Sequence, residues 1–347
     1  MFDSISSLKT EDKTSLATSP CYESWSQDYE FILELCRNKH DVPPISLDQS
    51  KKNLLRIKAS VLDFLSITPL HFINAGQDGI VHFNFLMNLI ILDVNTSSVK
   101  KLNIVYALLL HKGHGKERTS DRSYRTISTC PVLAKGLDMY IHDLFIDDWN
   151  DAQADTQYQG EGSSHELAAL LITEAVQQSL HQNHEPVFLL FLDAQSAFNI
   201  LVICFLIRNL YFTGMDGNSL IYMKNRLNHR LTYCEWEKEL MGPIADQHGL
   251  EQGGCNSSDL YKIYNNELLN LLQDSSQGVV MGNDLVISGV GQADDIALLS
   301  SNIYSLFNLL HLVLKYCKQY NIKLCADKTK LLLLASILTK GLSPATQ

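Results

Sequence analysis

The sequence predicts an α+β fold, on the evidence of one apolar strand, one hairpin and several amphipathic helices. Residues Val187–Leu192 are β-prone and apolar at every position, as in a strand buried on both faces, and Asp193 follows them. Apolar segments on either side of Asp294 and Asp295 predict a β-hairpin with this acidic pair at its tip. Helical spacing of apolar side chains predicts helices, among them one over residues 303–320.

Three aspartates at the ends of these strands are candidate metal ligands. Asp294 and Asp295 are adjacent, and two ionised carboxylates side by side repel each other unless a cation neutralises them. Taken alone, the pair also fits a solvated turn, because Asp is common in turns. Asp193 favours the metal, since a charge at the end of a buried strand needs a partner or a metal ion. Carboxylate oxygens are hard ligands that suit Mg²⁺.

The first hundred residues are predicted to be mainly helical. Residues 1–18 are rich in Ser, Thr, Lys and Asp, and we expect them to be disordered. A short helix is predicted over 22–36 and an amphipathic helix over 50–65, where apolar residues recur with helical spacing. Turns are predicted within 74–79, before an apolar helix over 83–92.

The middle of the chain is predicted to alternate between strand and helix. A strand over 101–110 precedes a basic loop over 111–116, which lacks the spacing of a phosphate-binding P-loop. A helix is predicted over 132–144, and a capping box that begins at Ser163 predicts a long helix to about residue 182.

Beyond the first candidate aspartate, the pattern predicts one more strand and one more helix before the acidic hairpin. The strand is predicted over 226–234, and Gly242-Pro243 reads as a turn. A loop rich in Gly and Ser follows over 247–258, and a helix over 259–273.

Composition argues against several classes of protein. The chain has 28 basic and 38 acidic residues and a formal net charge of −10, which is the wrong sign for a generic nucleic-acid binder. Basic side chains are nevertheless concentrated between residues 100 and 135. The 8 cysteines include no C-x-x-C pair, which argues against a zinc ribbon or disulfide framework and for a reducing compartment. We therefore expect an intracellular protein, cytoplasmic or nuclear, that is not secreted and has no membrane partner.

Five segments of the chain resemble, in the same order, motifs of the reverse transcriptases of non-LTR (LINE-type) retrotransposons. The matching segments are 124–135 for the fingers motif, 191–198 for the first palm motif, 249–258 for the second, 293–295 for the third and 327–330 for the fourth. The resemblance covers roughly residues 100–334. Five motifs in the right order are stronger evidence than any one of them.

The resemblance implies the fingers and palm of a right-hand polymerase. The palm would be an antiparallel sheet with helices on one face, and the thumb would be truncated or absent, because little chain remains after the fourth motif. The implied domains are an N-terminal extension over 1–45, helices and fingers over 46–185, a palm over 186–335 and a tail over 336–347.

The resemblance also implies an activity, its substrates and its cofactor. The expected function is that of an RNA-directed DNA polymerase core from a retrotransposon, which uses an RNA template, a DNA primer and dNTPs. Two Mg²⁺ ions, or Mn²⁺ in their place, would be bridged by Asp193 and Asp294, with Asp295 assisting.

Further site residues follow from the same resemblance. The residues expected to bind the nucleotide are Arg125, Lys112, Lys116, Phe198, Gln252, Gly253 and Lys328. The residues expected to contact nucleic acid are Tyr124, Arg226 and Arg230.

Each of these roles has an ordinary structural alternative. Arg125 could pair with Asp121, Phe198 could be core packing, the loop around Gln252 could be an ordinary loop, and Lys328 could be solvated.

Some positions depart from the family pattern. Gln292 stands where an aromatic residue is usual, Asn199 replaces an Asp, and Glu251 precedes Gln252. These departures and the acidic composition keep a second interpretation open, a catalytically impaired remnant that only binds nucleic acid or protein. A different two-metal enzyme, such as a cyclase or nuclease, ranks last, because it would not need the motifs around Arg125 and Gln252.

Overall fold

The computed structural model describes most of the chain between residues 22 and 335. The described ranges are 22–37, 39–40, 42–58, 62–94, 97–113, 115–120, 123–159, 163–195, 197–228, 230–236, 239–282 and 285–335. The tails predicted over 1–18 and 336–347 lie outside these ranges, as does Asp121, the alternative partner of Arg125.

The helices and strands of the described chain are, in order, α1 Tyr22–Cys36, α2 Leu47–Arg56, α3 Pro69–Asn74, α4 Gly76–Leu92, α5 Ser97–Leu102, β1 Ile104–His111, β2 Tyr124–Thr129, α6 Val132–Asp151, α7 His165–Gln178, β3 Val187–Asp193, α8 Ala197–Ile200, α9 Ile203–Phe212, α10 Gly217–Leu227, β4 Arg230–Trp236, β5 Glu239–Asp246, α11 Ser257–Asp274, β6 Val279–Met281, β7 Leu285–Ile287, β8 Gly289–Gln292, β9 Asp295–Ser300, α12 Ile303–Gln319 and β10 Lys330–Leu334. A π-helical turn, Ser179–Asn183, follows α7, and a 3₁₀ turn, Ala326–Lys328, precedes β10. The α+β class is confirmed. Within the described residues, no helix is long and apolar enough to cross a membrane.

The described residues form two compact units whose segments interleave along the chain. Unit 1 comprises Met1–Gln153, Ser196–Tyr264 and Lys318–Ile322. Unit 2 comprises Ala154–Gln195, Asn265–Cys317 and Lys323–Gln347.

Unit 2 contains an antiparallel sheet with the strand order β10-β3-β9-β8, and β6 and β7 form a separate two-stranded ribbon. The apolar run that predicted β3 thus lies in the interior of the sheet. Helix α7 covers one face of it. The core on that face consists of Ala168, Ala175 and Val176 from α7 with Val187, Leu189, Val290, Ala297 and Leu299 from the sheet. Burial of these side chains fixes β3 and the acidic hairpin against a common support.

Unit 1 contains a mixed sheet with the strand order β2-β1-β4-β5. Strands β1 and β2 form an antiparallel hairpin, while β1 and β4 are parallel. Among the helices of this unit, α1 packs on α9 through the rings of Trp25 and Phe205, whose centroids are 3.9 Å apart. Tyr320 stacks near both rings.

Several predicted element boundaries were wrong, and polar side chains explain two of them. Helix α2 ends at Arg56, since Ile57 is already extended, rather than continuing to residue 65. Within the predicted helix, Asp63 accepts hydrogen bonds from the backbone N–H groups of Leu65 and Ile67, which favours a turn there. Helix α7 begins one residue later than the predicted capping box, since the N-cap is Ser164, whose hydroxyl accepts from Leu167 N.

Glycine-containing segments account for two further corrections. Gly242-Pro243 lies inside β5, opposite an irregularity in β4, and is therefore a bulge rather than a turn. Gly79 lies inside α4, which starts at Gly76, so the second predicted turn of that region is helical.

Candidate active site

The ends of β3 and β9 bring two of the candidate aspartates face to face in unit 2. Asp193 and Asp295 are register partners in the antiparallel ladder, a relation in which Cα atoms are about 4.5–5.5 Å apart. Ala293 and Asp294 form the two-residue turn between β8 and β9, so the acidic pair lies at the tip of a hairpin, as the sequence predicted. Three aspartates from two distant motifs therefore lie at the same end of the sheet.

The carboxylates at this end of the sheet influence each other electrostatically. Burial and the neighbouring charges of Asp295 and Asp193 raise the pKa of Asp294. Burial and the charge of Asp193 likewise raise the pKa of Asp295. Lys328 opposes both shifts. A concentration of negative charge of this kind is relieved by a cation.

Lys328 supplies the positive charge that the structure places beside these aspartates. Its Nζ lies 2.7 Å from Oδ1 of Asp193, and the hydrogen bond to that carboxylate raises the pKa of the lysine. The backbone supports the contact, because Cys325 N donates to Asp193 O at 2.9 Å and the 3₁₀ turn that carries Lys328 follows directly. The sequence had suggested a solvated lysine or a phosphate contact, and neither interpretation foresaw this ion pair.

The donor set fits a hard divalent cation in chemistry. Asp193, Asp294 and Asp295 offer carboxylate oxygens of the type that Mg²⁺ prefers. The raised pKa values of the last two reflect burial first and then neighbouring negative charge, which such an ion would neutralise. Among the described residues, no three His, Cys, Asp or Glu side chains are gathered closely enough to enclose an ion, and a lysine occupies one oxygen of Asp193.

A segment that sequence reasoning missed lies along the free edge of β8. Gly291 N donates to Thr156 O, and Tyr158 N donates to Gly291 O, both at 2.8 Å. The side chain of Gln157, between them, reaches the hairpin turn and accepts from Ala293 N at 3.2 Å. A glutamine in an irregular segment produces no helical or strand periodicity, so no sequence pattern marks Gln157. The only related signal in the sequence was Ala293, a non-glycine residue in a tight turn.

The predicted phosphate-binding side chains lie in unit 1, around the β1–β2 hairpin. Arg125 is exposed on β2, opposite Leu110, and Lys116 is exposed in the connecting loop. Lys112 is half-buried next to β1. No ion pair joins Arg125 to another of the described residues, and its role in phosphate binding stays a prediction. Tyr124 is less accessible, because its hydroxyl donates to the carbonyl of Arg118.

The glycine-rich loop of the second motif is tied to β2 through its backbone. Ser128 N donates to Gln252 O at 2.8 Å. Gly253 has φ +103, and a Cβ on it would lie 3.3 Å from Ser128 O, which explains why glycine is needed there. The Gln252 side chain is half-buried at the end of this loop.

The same loop is also paired with the turn after the first motif. Gly249 N donates to Leu201 O at 2.7 Å, and Leu250 N donates to Phe198 O at 2.6 Å. The half-buried ring of Phe198 stacks on Tyr261 with a centroid distance of 5.0 Å. Phe198 therefore has a packing partner, and its contact with a nucleotide sugar stays a prediction.

Arg226 and Arg230, expected to contact nucleic acid, are instead internal side chains of unit 1. Arg226 belongs to α10 rather than to the predicted strand, and its guanidinium is 2.8 Å from Glu251 Oε1 and 3.3 Å from Asp138 Oδ2. Arg230 donates to the carbonyl oxygen of Gly249 at 2.6 Å. The two residues are 2% and 1% exposed, so neither presents a charge to solvent. Their assignment as surface contacts was wrong.

This buried network explains one departure from the family pattern. Glu251, the unusual acid before the second-motif glutamine, neutralises Arg226 together with Asp138. Tyr222 donates to Asp138 at 2.8 Å, and burial together with that charge raises the pKa of the tyrosine. The acid at 251 thus has a structural role.

Comparison with protein families gives one match. Residues 112–343 match the family model described as reverse transcriptase (RNA-dependent DNA polymerase). Comparison with curated protein sequences gives no match.

Solved structures of telomerase are similar to the chain. Apo telomerase from Candida tropicalis, truncated from its C-terminal domain, aligns with a TM-score of 0.50 and 10% identity over 69% of this chain and 51% of that chain. Telomerase from Candida albicans in complex with a TWJ fragment of telomeric RNA aligns with a TM-score of 0.48 and 12% identity over 68% of this chain and 43% of that chain. Because the second TM-score is below 0.5, only the first alignment is used, and at 10% identity it shows similarity of fold alone. The chain spans about half the length of that telomerase structure.

Proposed function

Because the chain belongs to the reverse transcriptase (RNA-dependent DNA polymerase) family, we propose that it is the core of an RNA-directed DNA polymerase. Its substrates would be an RNA template, a DNA primer and dNTPs. The resemblance of five ordered motifs to those of non-LTR retrotransposon reverse transcriptases supports an origin in such an element.

One observation supports this proposal above all others. Asp193 and Asp295 come from different motifs and are direct partners across β3 and β9, with Asp294 in the adjoining turn. A structural acidic turn would not require a third carboxylate from another strand. Nucleotidyl transfer requires such a cluster, since a pair of divalent ions must be held where the primer hydroxyl meets the nucleotide.

The residues of the chain would divide the chemistry as follows. Asp193, Asp294 and Asp295 would hold Mg²⁺, which when bound activates the primer hydroxyl and stabilises the departing pyrophosphate. Arg125 offers several donors to phosphate oxygens, with Lys112 or Lys116 in support.

Two residues would contact the nucleotide itself. Gln252 would hydrogen-bond a template nucleotide, with Gly253 permitting close approach of the backbone. Phe198 would lie against the sugar and disfavour ribonucleotides.

A second candidate function also has an observation in its favour. The ion pair between Lys328 and Asp193 puts a protein cation where a metal ion would be needed. If that pair persists with substrate bound, the chain would be a binding module that retains the fold without turnover. The net charge of −10 is consistent with weak binding to a nucleic-acid duplex.

Primer extension on a homopolymer RNA template, with Mg²⁺ or Mn²⁺, tests the proposal. We expect extension by the wild type and none by Asp193→Asn or Asp294→Asn, at unchanged circular dichroism. Asp155→Asn is the matched control, because it removes one exposed carboxylate of the same unit. Equal extension by wild type and Asp193→Asn would refute the assignment, and a wild type that binds the duplex without extending it would favour the binding module.

A further inference from the structure

The short segment that runs beside β8 closes an otherwise open sheet edge next to the candidate active site. In the strand order β10-β3-β9-β8, strand β8 is the border, and Gln157 forms a parallel bridge with Gly291 at that border. Gly291 exchanges backbone hydrogen bonds with Thr156 and Tyr158, both at 2.8 Å. The segment therefore occupies the position of a fifth strand, one residue away from the turn that carries Asp294.

The side chain of Gln157 contacts the hairpin turn, beyond the backbone bridge to Gly291. The residue is 6% exposed, and its Oε1 accepts from Ala293 N and from Gln159 N, each at 3.2 Å. Two N–H donors pointing at one amide atom require that atom to be the oxygen, so the orientation of the amide is fixed.

The contact with Gln157 supports the turn at Ala293 in two ways. In a two-residue hairpin, the N–H of the first turn residue points away from the partner strand and has no ladder acceptor, and a buried N–H without an acceptor is costly. Ala293 is that first residue, and its φ of 57° lies in the left-handed region that favours glycine. An acceptor fixed from outside the hairpin satisfies the N–H and holds the alanine in this conformation.

The turn conformation in turn determines where two carboxylates point. Asp294 is the second turn residue and Asp295 pairs with Gln292 immediately after it. A change in the backbone at Ala293 would rotate the Asp294 side chain and weaken the register that sets Asp295 opposite Asp193.

We propose that Gln157 is a positioning residue for the acidic hairpin, which through its amide oxygen holds the Ala293 turn and thereby the carboxylates of Asp294 and Asp295. The inference rests on the proposed function for its catalytic consequence, but the contact itself can be tested without catalysis. The role proposed for Gln157 is exerted through its contact with the turn at Ala293.

The decisive variant is Gln157→Leu, which keeps the volume of the side chain and removes the acceptor. In the 347-residue chain we expect kcat for primer extension to fall by about tenfold or more, because small misplacements of reacting groups are costly, while KM for the dNTP stays within about twofold. Amide hydrogen exchange at Ala293 should accelerate relative to neighbouring sheet amides. Thr156→Val is the matched control, since the buried Thr156 hydroxyl has no hydrogen-bond partner among the described residues, and it should change neither measurement.

A second substitution separates positioning from mere support of the sheet edge. Ala293→Gly should restore a large part of the rate lost in Gln157→Leu, because glycine adopts positive φ without strain. General destabilisation of the edge would not be repaired by glycine at that position. Wild-type kcat in Gln157→Leu, unchanged exchange at Ala293, or absence of rescue overturns the proposal.

Failure of the polymerase assignment is distinguishable from failure of this inference. If the wild type extends no primer, Mn²⁺ affinity replaces kcat as the readout. Weaker Mn²⁺ binding by Gln157→Leu, recovered with Ala293→Gly, would support the positioning role. Equal binding by wild type and Gln157→Leu, or no binding by the wild type, would reject it.

Discussion

Lys328 and Asp193 form an ion pair, with 2.7 Å between the ammonium nitrogen and one carboxylate oxygen, although 135 positions separate them along the chain. The lysine side chain is 64% exposed and the aspartate side chain 18% exposed, so the pair lies at the surface end of the site and the lysine can move away. The same cation partly offsets the burial and the neighbouring negative charge that raise the pKa values of Asp294 and Asp295. It therefore competes with any metal ion for the charge of this cluster.

Replacing the competing lysine should strengthen metal binding. In Lys328→Met, the carboxylates lose a nearby positive charge, so we expect Mn²⁺ affinity to rise several-fold, as measured by calorimetric titration. Lys330→Met is the control, because Lys330 is an exposed lysine on β10 and its loss changes the net charge equally. The competition argument fails if both variants bind Mn²⁺ with the same affinity.

Arg226 should be required for stability rather than for nucleic-acid binding. Arg226→Met leaves Glu251 and Asp138 buried without their counter-charge, so the free energy of unfolding in urea should fall by about 3–5 kcal/mol. Combining it with Glu251→Gln should recover part of the loss. On the exposed β2 position, Arg125→Met should change stability by only about 0.5 kcal/mol. Wild-type stability in Arg226→Met would contradict the buried network.

Gly249 should tolerate no side chain. An added Cβ would lie 2.6 Å from the carbonyl oxygens of Phe198 and Asn199, and φ is +81. Gly113 also has positive φ, +69, but nothing lies within 4 Å of its Cβ position. Gly249→Ala should therefore lower the free energy of unfolding by roughly 1–3 kcal/mol more than Gly113→Ala. Equal losses of unfolding free energy in the two variants would mean that positive φ, and not the close contacts at Gly249, accounts for both.

Asp216 should contribute to stability at neutral pH but not in acid. Burial raises its pKa, but hydrogen bonds from Cys36 Sγ at 3.0 Å and Lys39 Nζ at 2.6 Å outweigh that effect and lower the pKa below its ordinary value. A lowered carboxyl pKa means that folding favours the ionised form. The contribution is therefore present above the unfolded value of about 3.9 and disappears as the pH falls through the lower folded value.

Thermal unfolding of Asp216→Asn and wild type should reveal this dependence. The variant should melt below the wild type at pH 7, and the difference should shrink as the pH approaches 3. Asp155→Asn, at an exposed position, should show no such pattern. A difference in melting temperature that grows as the pH falls would contradict the lowered pKa of Asp216.

Local sequence patterns were sufficient to predict the strands that carry the candidate aspartates. The apolar run before Asp193 and the turn at Asp294 are each specified within a few residues, so β3, β8 and β9 could be predicted from sequence. The same is true of α11 and α12, whose apolar spacing is regular.

Features set by distant partners were not predictable in this way. Arg226 carries the same charge whether it faces phosphate or Glu251, and only the fold places it beside that acid. Gln157 lies in an irregular segment, and its function depends on a turn that follows much later in the chain. In both cases the deciding contact is tertiary and polar, and neither helical nor strand periodicity encodes it.

The interleaving of the two units has a consequence for biosynthesis. When β3 leaves the ribosome, neither of its neighbours in the sheet, β9 and β10, has yet been translated. A strand apolar along most of its length must therefore wait until those two strands have been synthesised, because non-local pairing cannot begin before both partners exist. We expect that a chaperone able to shield β3 during this interval would raise the yield of folded protein.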